Sequence, residues 1–156
     1  MITEHIILIT IQEKEKSLLY RKKGLDMRKL DDTGIKIQDD KVYSSYYGKA
    51  CKMYPDYRLV AVSMNVPDNF KGEILRCLAP SQSLVYGYKY HNMSKREYVA
   101  TYRKEILARL DAKEIYNKVK GKVILCYCGP GQFCHRHVIM AWLEEQLGEK
   151  YIGGEI

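Results

Sequence analysis

Residues 123–142 read VILCYCGPGQFCHRHVIMAW, and this stretch decides the fold. An apolar run typical of a buried strand leads into a turn of glycine and proline, and apolar residues at helical spacing follow at once. The stretch therefore predicts a strand at 123–127 and a final helix at 133–147. A strand followed so directly by a helix favours an α/β fold, with a largely parallel sheet flanked by helices.

Two helix-start signatures precede this strand. Ser94 and Glu97 have the spacing of a capping box, and apolar residues at helical spacing continue behind them to residue 110. Asp111 and Glu114 repeat the signature, and Gly121 is the residue type expected just beyond a helix end. The sequence thus predicts two helices before the strand and one after it.

Short apolar and alternating runs predict further elements in the first two thirds of the chain. They are bounded by polar residues, glycine or proline, as strands and short helices are. Together with the elements near the C-terminus they indicate a single domain over residues 1–156. The predicted strands are 5–11, 35–37 with 42–47 as a hairpin or two successive strands, 59–64 and 84–86, and a short helix is predicted at 13–23.

The composition of the chain excludes several classes of protein. A chain of 156 residues can bury a core, and 46% apolar residues argue against disorder. No apolar run reaches the ~20 residues that a membrane helix needs. The five cysteines, an odd number, are not typical of a secreted disulfide framework. We therefore expect a cytoplasmic protein in a reducing compartment, with no membrane partner.

The net charge and the aromatic content of the chain indicate which classes of ligand it could bind. A formal net charge of +7 is compatible with phosphorylated ligands and with nucleic acid. The lysines and arginines are scattered, so binding of nucleic acid through this surface is expected to be weak and dependent on salt. The chain has 14 tyrosines against 2 phenylalanines. Tyrosine rings stack on bases, but they also pack at half-buried positions.

The predicted start of the last helix carries the densest chemistry. Free backbone N–H groups and the helix dipole favour anions there, and a thiol tends toward the thiolate. Cys134 is thus a candidate nucleophile or ligand contact, with a small apolar side chain facing the sheet as an equally favoured alternative. His135 is a candidate general acid or base. For Arg136 a bidentate grip on phosphate is favoured over a salt bridge. We predict Cys134 and His135 as catalytic and Arg136 as ligand-binding.

A metal site is weighed because five residues of the kinds that bind zinc lie between positions 126 and 137. The paired cysteines with two intervening residues that mark most such sites are missing. We therefore predict no metal, no cofactor, and no disulfide among the three cysteines of this stretch. The five residues are Cys126, Cys128, Cys134, His135 and His137.

The stretch 123–143 resembles the signature of the family known as domain of unknown function 488. Its members have a strand, a cysteine, a proline-containing turn and Cys-His-Arg at the start of the last helix. Segments 42–47, 61–63, 78–80 and 98–110 also fit, so the resemblance covers residues 42–147. It implies a compact Rossmann-like domain of a bacterial or phage protein, with residues 1–41 as an N-terminal addition. Family members often have an acidic residue at the position of Cys128, which argues against catalysis by that thiol.

The residues and the resemblance together predict a pocket at the carboxyl edge of the sheet, built around residues 134–136. The expected ligand is a phosphorylated small molecule, a nucleotide or a nucleic-acid end, with hydrolysis or transfer as a possible further step. One alternative is a non-enzymatic module that sequesters nucleotides, and another is a basic nucleic-acid-binding domain with a structural motif. Further ligand contacts are predicted from three strand ends: Ser44, Ser45, Tyr46, Tyr47, Ser63 and Tyr127.

Overall fold

The computed structural model describes residues 36–156, and the strands in this part of the chain form one parallel sheet. The spatial order is β3-β2-β4-β1-β5, so the buried strand that the sequence predicts lies at the centre. Every neighbouring pair runs parallel, which confirms the predicted fold class. The strands are β1 (Val42–Tyr46), β2 (Leu59–Ala61), β3 (Glu73–Ile74), β4 (Lys122–Cys126) and β5 (Ile152–Glu155).

Helices with clear local stop and start signals connect these strands. Ser94 and Glu97 form the predicted capping box, and the side chain of Asp111 accepts a hydrogen bond from the Glu114 N–H. Gly121 follows with a φ of 70°, the left-handed conformation that glycine adopts without strain. The helices are α1 (Tyr47–Met53), α2 (Gln82–Tyr90), α3 (Lys95–Glu105), α4 (Ala112–Val119) and α5 (His135–Leu147). In the part of the chain described here, no helix has the length and apolarity to cross a bilayer.

Apolar side chains cover both faces of the sheet, as expected for parallel strands. Ile124 of β4 belongs to a core shared with α2, α3, α4 and α5, whereas its neighbours Val123 and Leu125 face a second core. Residues of α1 pack in that second core. Because alternate residues of a strand face opposite ways, β4 anchors both cores.

Some predicted elements differ from the structure. Residues 84–86 are not a strand but part of α2, because the Ser81 hydroxyl caps that helix and three β-prone residues are too few to prevent it. The hairpin predicted for 35–37 and 42–47 is not formed by its described residues, since β1 pairs only in parallel with β4 and β5. Tyr47 begins a helix instead of ending the strand. The predicted elements at 5–11 and 13–23, like most of the proposed addition at 1–41, lie outside the described residues.

Gly153 in the edge strand β5 lies against the ring of Tyr43, which is 3% exposed. A Cβ at residue 153 would overlap that ring, and the Tyr43 hydroxyl is held by the Gln38 N–H at 3.0 Å. Gly153→Ala is therefore expected to lower the free energy of unfolding by about 1–3 kcal/mol. Urea unfolding measures the change, with Gly129→Ala as control because a Cβ there meets no atom within 4 Å. Equal midpoints for both variants would contradict this packing.

Candidate functional site

The loop of residues 127–134 connects the carboxyl end of β4 to the first turn of α5. It lies where parallel α/β sheets commonly bind ligands. Cys134 is the N-cap residue of α5, and His135 and Arg136 form its first turn, as the sequence predicts. The site is therefore built from one strand-turn-helix unit, with further side chains from neighbouring elements.

A cavity of about 210 Å³ opens beside this loop. Its wall is aromatic: the rings of Tyr88, Tyr98 and Phe133 meet edge to face, with all three centroid separations between 5.4 and 5.5 Å. Such contacts stabilise each ring pair by about 0.5–1.5 kcal/mol and hold the wall rigid. The remaining polar lining comes from several elements: Ser63, Asn65, Lys89, Cys126, Cys128, Cys134 and His135.

Four residues predicted as site residues line this cavity. Cys134 and His135 lie at its buried end, with 3% and 6% of their surface exposed. Tyr127 is exposed, and its ring packs against that of Tyr47 at 4.8 Å. Ser63 lies just beyond β2, where its hydroxyl donates to the Asn65 carbonyl at 2.6 Å.

The other predicted ligand contacts lie outside the cavity lining. Ser44 donates to Glu155, and Ser45 donates to the carbonyl of Ile156 at 2.7 Å, so both hydroxyls hold the C-terminal segment. The Tyr47 hydroxyl hydrogen-bonds the Ser63 hydroxyl, but Tyr47 itself does not line the cavity. Tyr46 is half-buried at the end of β1 and is also absent from the lining.

The imidazole of His135 has a defined tautomer. Its Nε2 lies 2.7 Å from the Val62 carbonyl oxygen, which can only accept, so Nε2 carries the proton. Nδ1 is then the acceptor, and it lies 3.4 Å from Cys134 Sγ. Burial lowers the pKa of His135 to about 4, and the nearby Arg136 charge acts in the same direction. The ring is therefore neutral near pH 7.

Three thiols meet beside His135. Cys126 Sγ lies 2.6 Å from Cys134 Sγ, Cys128 lines the same cavity, and all five cysteines of the chain are free. Interaction with the Cys126 and Cys134 thiols lowers the pKa of Cys128. Interaction with Cys128, followed by burial, raises the pKa of Cys126, and interaction with Cys126, followed by Cys128 and burial, raises the pKa of Cys134. Among the three thiols, the half-buried Cys128 is therefore the one whose pKa is lowered, a property that neither its spacing nor the family resemblance indicates.

These side chains could hold a metal ion. Cys126 Sγ, Cys134 Sγ and a ring nitrogen of His135 lie within 4.8 Å of one another, and all three residues are buried. Sequence spacing argued against such a cluster. The structure forms it because the start of α5 returns to the end of β4, which brings together residues that no paired spacing connects.

Arg136 is fully buried, and each of its three side-chain nitrogens donates at least one hydrogen bond. Nη1 donates to Cys126 Sγ at 2.8 Å and to the Cys128 carbonyl at 2.6 Å, and Nη2 donates to Glu155 at 2.6 Å. Burial opposes the guanidinium charge, but Glu155 and Cys126 more than compensate and raise the pKa of Arg136. In this arrangement Arg136 makes a salt bridge with Glu155. A salt bridge was the less favoured of the two roles considered from sequence, the other being a bidentate contact with phosphate.

Sequence reasoning missed Glu155 and the aromatic wall. Glu155 also accepts from Ser44 and contacts His137 Nε2 at 2.9 Å, so one carboxylate joins β1, α5 and β5. Nothing local marks Glu155, Tyr88 or Tyr98, since each acquires its role through contacts distant in the chain.

Comparison with known proteins places the chain by family alone. No curated protein and no solved structure matches it. Residues 52–147 match the family model DUF488-N3a, described as the active DUF488-N3 subclade, and this range contains α2 to α5, β4 and the whole thiol and histidine cluster. The chain therefore belongs to the DUF488 family.

Proposed function

We propose that the protein binds a phosphorylated small ligand, a nucleotide or a nucleic-acid end, in the cavity between β4 and α5. The observation that carries the proposal is the aromatic wall of Tyr88, Tyr98 and Phe133 beside the carboxyl end of the sheet. Aromatic side chains stack on bases with about 1–3 kcal/mol per base. Binding in this cavity is required both for a protein that only sequesters the ligand and for an enzyme that converts it.

The size and the polar lining of the cavity support a single ring system. Pockets for drug-sized ligands measure about 300–1,000 Å³, whereas this one measures about 210 Å³. A base fits such a volume while the sugar and phosphate remain at the opening. Ser63 and Asn65 supply polar groups that can hydrogen-bond the edge of a base.

Two lysines near the opening of the cavity support the proposal that the ligand carries a phosphate. Lys89 lines the cavity and is exposed, and the Lys95 ammonium lies 5.7 Å from the centre of the Phe133 ring. Both charges are near the aromatic wall, unlike the buried guanidinium of Arg136. These positions support a phosphate contact by the two lysines, with Arg136 as a support of the loop.

Phe133→Ala is expected to weaken nucleotide binding about 5- to 150-fold, the equivalent of one lost stacking contact. Isothermal titration with a panel of nucleoside monophosphates and a 5′-phosphorylated oligonucleotide measures the change. Lys89→Ala is expected to weaken binding and to reduce its dependence on salt. Tyr90→Ala is the matched control, because Tyr90 is 69% exposed on α2 and does not line the cavity.

Two results would overturn the proposal. The first is that no member of the panel binds to the wild-type protein at physiological salt. The second is that Phe133→Ala and Tyr90→Ala bind with equal affinity, which would place the ligand away from the aromatic wall.

A further inference from the structure

Four soft donors converge at the inner end of the cavity. Cys126 ends β4, Cys128 lies on the following loop, and Cys134 and His135 begin α5. Two of the sulfurs and an imidazole nitrogen already lie within 4.8 Å of one another, and Cys128 lines the same cavity beside them. Thiolates and imidazoles are the donors that zinc prefers in tetrahedral sites. We propose that Cys126, Cys128, Cys134 and His135 bind a zinc ion.

The orientation of His135 supports this assignment. Its Nε2–H donates to the Val62 carbonyl, which fixes the ring and leaves the Nδ1 lone pair directed at the Cys134 sulfur. A histidine that binds a metal almost always donates its other N–H to a carbonyl or carboxylate in this way. The second hydrogen bond that such a ligand needs is therefore already in place.

The sulfurs need only a small adjustment. Zn–S bonds of about 2.3 Å in a tetrahedron place two sulfurs about 3.8 Å apart, so the Cys126 and Cys134 sulfurs must separate by roughly 1 Å. Rotation about the Cα–Cβ bonds of the two cysteines is the movement that this separation requires. The Arg136 N–H at Cys126 Sγ favours the thiolate, the form that binds metal, and remains as an outer hydrogen bond.

The donor set also indicates what the ion does. Three thiolates and one imidazole fill all four tetrahedral positions, as in structural zinc sites, whereas catalytic sites keep one position open. The ion would join the end of β4 to the start of α5 and close the loop that carries Tyr127 and Phe133. Its role is to hold one side of the ligand cavity in place.

The test uses the full chain, expressed without chelators and purified in reductant. Elemental analysis is expected to find about one zinc per chain, and cobalt added to metal-free protein is expected to give the thiolate charge-transfer absorption of a tetrahedral site. Cys134→Ser and Cys128→Ser are each expected to reduce the zinc content to trace levels and abolish that absorption. Cys77→Ser is the control, because Cys77 is exposed and does not belong to the cluster.

Cys128 is half-buried, so its variant keeps the test valid if Cys134→Ser does not fold. The proposal is overturned if folded wild-type protein contains no zinc and gives no cobalt absorption. It is also overturned if Cys77→Ser loses as much metal as the two cluster variants. Neither measurement involves a nucleotide, so the result is independent of the proposed ligand binding.

Discussion

Arg136→Ala is expected to lower the free energy of unfolding by about 3–5 kcal/mol, because it removes a large, fully buried side chain together with its hydrogen bonds. The guanidinium is fully buried and joins Glu155 of β5 to the Cys128 carbonyl of the loop. Alanine would leave a cavity, a carbonyl without its donor and a carboxylate without its charge partner. For a chain of this size the loss corresponds to a decrease in melting temperature of roughly 6–20 °C.

Urea unfolding followed by the fluorescence of Trp142, the single tryptophan and a buried one, measures this change. Arg103→Ala is the matched control, because Arg103 holds Glu145 with two hydrogen bonds of 2.8 and 2.9 Å at an exposed position. Such surface pairs are worth only ~0–1 kcal/mol. If the two arginine variants unfold at the same urea concentration, the Arg136 guanidinium is not structural and is available to a ligand.

Tyr102→Ala is expected to cost a similar amount, about 3–5 kcal/mol, because it removes a large side chain from the core. Tyr102 is 0% exposed, its hydroxyl donates to the Leu78 carbonyl at 2.6 Å, and its ring lies 5.8 Å from that of His135. The residue therefore connects α3 to the segment before Pro80 and to the inner end of the cavity.

Tyr102→Phe separates the two contributions. It keeps the ring and removes only the hydroxyl, so the buried Leu78 carbonyl loses its partner at a cost of about 1–3 kcal/mol. Both variants are compared in urea with Tyr90→Ala, which removes an exposed ring of the same type and is expected to change stability by less than about 0.5 kcal/mol. Equal stability of the Phe and Ala variants would show that the ring contributes nothing beyond its hydroxyl.

The parts of the fold that sequence predicts are those with local signals. The capping box at Ser94, the helix start at Asp111 and the strand-turn-helix unit around Cys134 are each specified by neighbouring residues, and the structure contains all three. The two-residue strand β3 and the glycine-rich strand β5 have no such signal. They are strands only because β2 and β1 offer them a pairing edge.

The residues of the candidate site also differ in whether a local sequence signal predicts them. Cys134 and His135 were predicted because a helix start concentrates chemistry locally. The partner of Arg136 is Glu155, on a strand that sequence did not predict, and the cavity wall depends on Tyr88 and Tyr98 from other helices. Spacing rules also failed for the thiol cluster, since they describe ligands close in the chain and not ligands that the fold brings together.

The central position of β4 has a consequence for synthesis on the ribosome. β1 and β2 are consecutive strands, but they do not pair with each other, because β4 lies between them in the sheet. Translation at ~5–20 residues per second needs several seconds to continue from residue 61 to residue 126. During that interval, among the described strands, β1 has no partner and β2 has only the two-residue strand β3. The edges that later pair with β4 are therefore open, and both are candidates for chaperone binding until β4 emerges.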